Sequence, residues 1–361
     1  MRGIANRSIT RRVRAALTAA VVIGTVAAVA PSTATAAAPG PTGAAGGLSV
    51  GVERISVATD EGYGAASITP DGRSIVFTSL KNGPSQGGNE VYVRDSAAGQ
   101  TRTEPMVEGW TPAISGDGKQ VAANAPFQGR TPERIQQRSL DLGVLPVACY
   151  RCNQPSLSGD GRYLAYGVLR YPGLLRSVVV ADRNGGVETI AALNISAPAR
   201  PSISGDGRHV AYQDLAYQTE GVYLRDRTAG TTSGPLEGPA RSASLVQLSD
   251  DGSKVVYLSG SDTYVHDISS GTAQLVPDVK GVAIDPTGRH LLYAPNGTSG
   301  PSLVLRDLQT GTDRTVSDQP ATAEVDSVSA GGREVVFQSA ADSVVPGDTN
   351  GTSDVFVRRF F

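Results

Sequence analysis

The sequence predicts an all-β chain folded as a seven-bladed β-propeller with four-stranded antiparallel blades. Glycines that close tight turns recur at Gly72, Gly118, Gly161, Gly207, Gly252, Gly288 and Gly332, 36 to 46 residues apart. A four-stranded propeller blade takes about 40–45 residues. Each turn is flanked by short runs of period-two alternation, the signature of half-buried strands. The composition agrees: 43 Gly and 22 Pro in 361 residues, 39% hydrophobic and 18% charged, suit short strands and tight turns and exclude a helical bundle, a collagen or a disordered chain.

In chain order, residues 1–36 read as an export signal. Arg2, Arg7, Arg11, Arg12 and Arg14 precede an uncharged run from Ala15 to Ala30, and a small-residue cleavage site follows at Ala34-Thr35-Ala36. That run is shorter than the roughly 20 residues a spanning helix needs. Removing the signal takes five arginines and no acids, leaving a net charge of about −7. Nucleic-acid binding needs a surviving basic face, which such a chain lacks. Residues 37–50 carry no large apolar periodicity and are expected to be a flexible lead-in.

From residue 51 the repeat takes over. Ile75, Val121, Leu164, Val210, Val255, Leu291 and Val335 share a face with an aromatic column two residues on, Phe77, Tyr166, Tyr212, Tyr257, Tyr293 and Phe337. Only blade two breaks the column, with Ala123. These aromatics are expected to pack between neighbouring blades. The last copy ends at a third strand, 354–361, while Glu53–Thr59 is free to serve as its outer strand, so strands from both termini close the ring and remove an exposed sheet edge. The propeller domain is therefore 51–361.

The Asp-Gly-Arg turn of ASITPDGRSIVFTS and the third strand VYVRD are similar to the propeller repeats of the TolB-like, WD-repeat-like family of bacterial envelopes. The resemblance covers residues 51–361. It implies a propeller and an envelope setting, and leaves the task open, because such rings serve as scaffolds, as ligand binders and as domains attached to peptidases.

Candidate chemistry is sparse. Cys149 and Cys152 are the only cysteines, and in an exported chain a local disulfide is the expectation, with a redox pair as the alternative. Asp348, Asn350 and Asp354 hold the 1, 3 and 7 positions from which a glycine-containing loop wraps oxygen ligands around Ca²⁺. Gly351 is fourth, not sixth, and Arg359 stands twelfth, so calcium and a plain Asn-Gly turn both stay open. His209, His266 and His290 occupy repeat slots and read as structural. Gly83-Pro84-Ser85-Gln86-Gly87 matches a nucleophile elbow but lies between strands of one sheet, without the strand-to-helix context. The basic residues after the turns (Arg73, Lys119, Arg162, Arg208, Arg289 and Arg333) and the Asp column Asp95, Asp182, Asp226, Asp267 and Asp307 are expected to form surface ion pairs.

First strands offer the axis two registers. One is Thr69, Ser115, Ser158, Ser204, Ser249, Asp285 and Ser329; the other is Ser67, Ala113, Ser156, Ser202, Gln247, Ala283 and Ser327. With Asp285 as the one acid, this predicts a channel of small hydroxyls. The functional expectation is a monomeric, exported, non-catalytic module that binds an envelope or extracellular protein. Its contacts would come from loops 81–90, 126–134, 146–154 and 170–176 through Tyr150, Arg151, Arg170 and Tyr171, residue types enriched at binding hot spots. The alternative is a small-ligand or glycan binder, or a metal-assisted hydrolase, using the channel mouth.

Overall fold

The computed structural model describes residues 51–361 apart from 57–61, 82–88, 103–104, 128–129, 146–148, 150, 171–174, 193–199, 217–218, 237, 239, 241 and 298–299. Among the described residues there are seven antiparallel sheets, taken in chain order around a ring. Blade 3 illustrates the unit: Cys152–Leu157 pairs with Tyr163–Arg170, that with Leu175–Asp182, and that with Val187–Ala192. The other inner strands are Tyr63–Ile68, Trp110–Ile114, Ser202–Ile203, Ser244–Leu248 and Val279–Ile284.

The turn between first and second strands explains the repeat. Its glycines sit in left-handed backbone, from Gly332 at φ 61° to Gly72 at φ 74°, where a Cβ would be strained. The preceding Asp caps the turn. In blade 2, Ser115 Oγ donates to Asp117 Oδ1 (2.6 Å), Asp117 accepts the N–H of Lys119 (3.0 Å), and Ser115 Oγ accepts the N–H of Gln120 (2.9 Å). Blades 1, 3, 4 and 5 repeat the arrangement with Thr69-Asp71, Ser158-Asp160, Ser204-Asp206 and Ser249-Asp251. The first of the two registers expected to line the channel is thus spent on turns, whereas Ser67, Ala113, Ser156, Ser202 and Gln247 of the second do line the lumen.

The core lies between blades. Second- and third-strand aromatics stack across the ladder, as in Tyr257–Tyr264 (5.4 Å between centroids) and Phe337–Phe356 (5.5 Å). These faces then bury the next blade: Ala211, Val222 and Leu224 of blade 4 cluster with Leu245, Val255 and Tyr257 of blade 5. At the rim three of the expected ion pairs form, Arg162–Asp182 (2.8 Å), Arg208–Asp226 (2.7 Å) and Arg289–Asp307 (2.6 Å), whereas Arg73, Lys119 and Arg333 make none with the Asp column among the described residues. In blade 5 Ser253 holds the turn slot and Lys254 serves Asp267 instead.

The ring closes with an N-terminal strand, as expected, but over Val52–Arg54; residues 57–59 of the expected segment lie outside the described residues. Val52–Arg54 pairs with Asp354–Arg359, in register Val52↔Arg358 and Arg54↔Phe356, and Ile55 N–H continues to Val355 O (2.9 Å). Glu53 ties both sides of the seam, to Arg94 of blade 1 (2.5 Å) and Arg359 of blade 7 (2.6 Å). Blade 7 departs from the pattern: its inner segment pairs with Glu334–Ser339 through isolated bridges, Thr322↔Gln338 and Val328↔Val335, rather than a continuous strand, with Asp326 between them in left-handed backbone at φ 57°.

The inner strands also bulge. Pairing slips between Gly64 and Ala66, Trp110 and Ala113, Asn153 and Ser156, Leu245 and Gln247, and Gly281 and Ala283. A bulge turns the following side chain to the other face, so the axis sees residues that strict alternation would hide.

Candidate functional site

The inner strands surround a funnel of about 500 Å³ that opens at their N-terminal ends. Toward the Asp-Gly turns it narrows to a cavity of about 20 Å³, room for about one water. The narrowing is made by the residues just before the turn aspartates. Gly159 N–H donates to Gly205 O (2.8 Å) and Gly205 N–H to Asp250 O (2.7 Å), and a Cβ on Gly159 would lie 3.0 Å from that Gly205 oxygen.

Blade 5 breaks this glycine ring. Where blades 2–4 read Ser-Gly-Asp-Gly, it reads Ser249-Asp250-Asp251-Gly252, and the Asp250 side chain enters the axial cavity. Asp326 enters the same cavity from blade 7. Burial, with the charges of Asp326 and Asp251, pushes the Asp250 carboxyl up to about 7. Burial pushes Asp326 up to about 6. Both carboxyls are thus raised toward neutral pH, the range in which a general acid and base work.

Gln247 holds Asp326. Its Oε1 accepts the N–H of Ile284 (3.1 Å) and of Asp326 (3.3 Å), and its Nε2 donates to Asp326 Oδ1 (2.6 Å). Above the acids, Glu324, Arg200 and Lys280 stand exposed at the funnel wall. Although its surface meets solvent, the protein crowded around Glu324 desolvates its carboxyl and raises it, and the nearby Arg200 charge opposes that rise. The wall is strained: of seven non-glycine residues in left-handed backbone among the described residues, Ala65, Thr111, Gln154, Arg200 and Asp326 line it. Such strain gathers at functional sites.

Other predicted residues fall elsewhere. Asp285 does not face the lumen. It is fully buried in the blade-6 turn, accepting from Thr287 Oγ1 (2.6 Å) and from the N–H groups of Arg289 (2.7 Å), His290 (2.7 Å) and Gly331 (2.9 Å). Those bonds hold its carboxyl below the ordinary range against the upward push of burial. Asp348, Asn350 and Asp354 do come together, around Arg54. Its guanidinium lies 2.9 Å from Asp348 and 3.7 Å from Asp354, whose other oxygen accepts from Ser56 Oγ (2.5 Å), while Asn350 Nδ2 donates to Asp354 (2.9 Å).

Cys149 and Cys152 form a disulfide with Cα atoms 5.8 Å apart, at the entry to the inner strand of blade 3. Arg151 between them is half-buried, its carbonyl accepting from Leu169 N–H (2.9 Å). Arg170 ends the second strand of that blade, paired with Leu175. Tyr150, Tyr171 and the Gly83–Gly87 motif lie outside the described residues.

No protein-family model matches the chain, nor does any curated protein sequence. Solved structures are similar to it. An oligogalacturonate lyase in complex with manganese covers 87% of this chain and 95% of its own, at TM-score 0.61 and 14% identity. An oligogalacturonate lyase from Vibrio parahaemolyticus covers 85% and 93%, at TM-score 0.60 and 13% identity. A putative TolB from Agrobacterium tumefaciens covers 83% and 99%, at TM-score 0.50 and 14% identity. The fold is therefore that of a group of propellers that includes TolB-like proteins.

These comparisons correct the expectation of a non-catalytic interaction module. That expectation rested on a lone ring whose axis held a single acid. Enzymes are built on the same ring over almost their whole length, and the acids at this axis are Asp250, Asp326 and Glu324. The manganese of the first relative has no matching donor set here, because among the described residues no three His, Cys, Asp or Glu gather to hold a metal.

Proposed function

We propose that the axial funnel is an acid–base site that cleaves an oligosaccharide carrying carboxylate groups. The observation that supports it is the pairing of Asp250 and Asp326 at the base of a funnel large enough for a disaccharide, beneath Arg200 and Lys280. The two cations neutralise a uronate carboxylate, which acidifies the carbon-bound proton beside it. Asp326, the more acidic carboxyl, accepts that proton as base. A double bond forms, the glycosidic C–O bond breaks, and Asp250 gives its proton to the leaving oxygen. The similar lyases act, by name, on oligogalacturonate, and cleavage beside a uronate carboxylate asks for a base, an acid and a cation. The reading includes export through the residue 1–36 signal. Among the described residues no helix is long and apolar enough to cross a membrane.

The test is calorimetric titration of the mature protein with uronate oligosaccharides and their neutral counterparts, alongside ultraviolet detection of an unsaturated product. Uronate-selective binding, weakened by Arg200→Ala, with turnover abolished by Asp326→Asn, is the expected result. No binding of either series would refute the reading.

A further inference from the structure

We propose that Gln247 is the positioning residue that decides which member of the axial pair carries the proton, keeping Asp326 ionised and leaving the proton on Asp250. The inference deepens the acid–base reading and rests on it for its catalytic meaning, though not for its test.

Gln247 is an exception in its slot. The equivalent inner-strand residues are Ser67, Ala113, Ser156, Ser202, Ala283 and Ser327, all too short to cross the lumen. Gln247 reaches past blade 6 to Asp326, 79 residues on. Its orientation is fixed by the backbone. Two N–H donors, from Ile284 and Asp326, occupy Oε1, so the amide cannot flip and only its N–H₂ can face the carboxylate. A donor locked on a carboxylate oxygen favours the charged form. Asp250 receives no comparable side-chain donor among the described residues, and its backbone carbonyl is spent on Gly205 (2.7 Å). The ionised Asp326 then raises Asp250 further.

The other charges around the pair do not reproduce this order. Asp251 on the blade-5 turn raises Asp250 and is held by Ser249 and Ser253. Glu324 lies two residues before Asp326 and faces Arg200. Lys280 stands on the wall from blade 6. The described lining of blades 1, 2 and 3 contains no titratable side chain.

The test is a carbon-13 NMR titration of aspartate carboxyls in the folded protein between about pH 4 and about pH 9, with Asp250→Asn and Asp326→Asn as assignment controls. In the wild type Asp326 is expected to titrate below Asp250. In Gln247→Met, which keeps the volume and removes the donor, the Asp326 midpoint is expected to rise by about one unit, a tenfold gain in proton affinity, and the Asp250 midpoint to fall. Unmoved midpoints in Gln247→Met would overturn the inference. Should that variant fail to fold, a wild-type Asp326 midpoint above that of Asp250 overturns it equally. Unmoved midpoints with uronate binding intact sink this inference alone; shifted midpoints with no uronate binding sink the functional reading alone.

Discussion

Replacing Asp250 by Asn should stabilise the protein, by an amount that grows as pH rises to the neutral range. The Asp250 carboxyl ordinarily titrates at 3.8 and is pushed up to about 7 in the fold. Between those values the folded state binds a proton that the unfolded state has already lost. Stability contributed by this group therefore falls as pH rises through that window and stays low above it. A gap of roughly three units corresponds to ~4 kcal/mol. Water in the lumen reaches the half-buried side chain, so about half of that, ~2 kcal/mol, is the magnitude to look for. The assay is urea unfolding of wild type and Asp250→Asn at pH 5 and pH 8. The variant should exceed the wild type by ~1 kcal/mol at pH 5, where only the unfolded chain is ionised, and by ~2 kcal/mol at pH 8. Turnover should be lost at both. Equal stability differences at the two pH values would refute the argument, because a cavity or a lost contact has no reason to follow this titration.

Two further outcomes concern the frame that holds the funnel. Arg54→Met strips Asp348 and Asp354 of their positive partner, and, both acids being buried, the loss in urea unfolding at neutral pH should be ~3 kcal/mol. Opening Cys149–Cys152, three residues apart in sequence, by Cys149→Ser should lower stability by only ~2 kcal/mol, as loop-closure entropy gives for so small a ring. Unfolding curves with and without reductant check that figure.

The ring was legible because its signals are local and repeated seven times. The turn glycines, the Ser-x-Asp-Gly cap and the aromatic two residues beyond an apolar position each follow from one turn and one ladder, and the Glu53–Thr59 segment betrayed the seam by having no other partner. The site was illegible for an equally local reason. Strict alternation assigns Thr69, Ser115 and Asp285 to the axis together with Ser67 and Ala113; the latter do line the funnel, but the former sit at the strand ends, where their oxygens cap the turns. Asp250 did leave a mark, as the one acid in a slot otherwise held by Gly116, Gly159, Gly205, Pro70, Pro286 and Ala330. Asp326 left none, since it reaches the lumen through a left-handed kink where the blade-7 pattern fails. Gln247 was read as lining, and its bond to a residue 79 positions away is invisible to any window of sequence.

The crowded glycines at the turn end have a consequence for traffic. A passage that pinches to the size of one water gives everything larger a single doorway, so whatever enters must back out the way it came. On the proposed reading, a polymer entering so narrow an end would meet the acids with its tip. Cleavage there would trim chains from one terminus, a few units at a time, and each fragment would have to vacate the cup before the shortened chain could return.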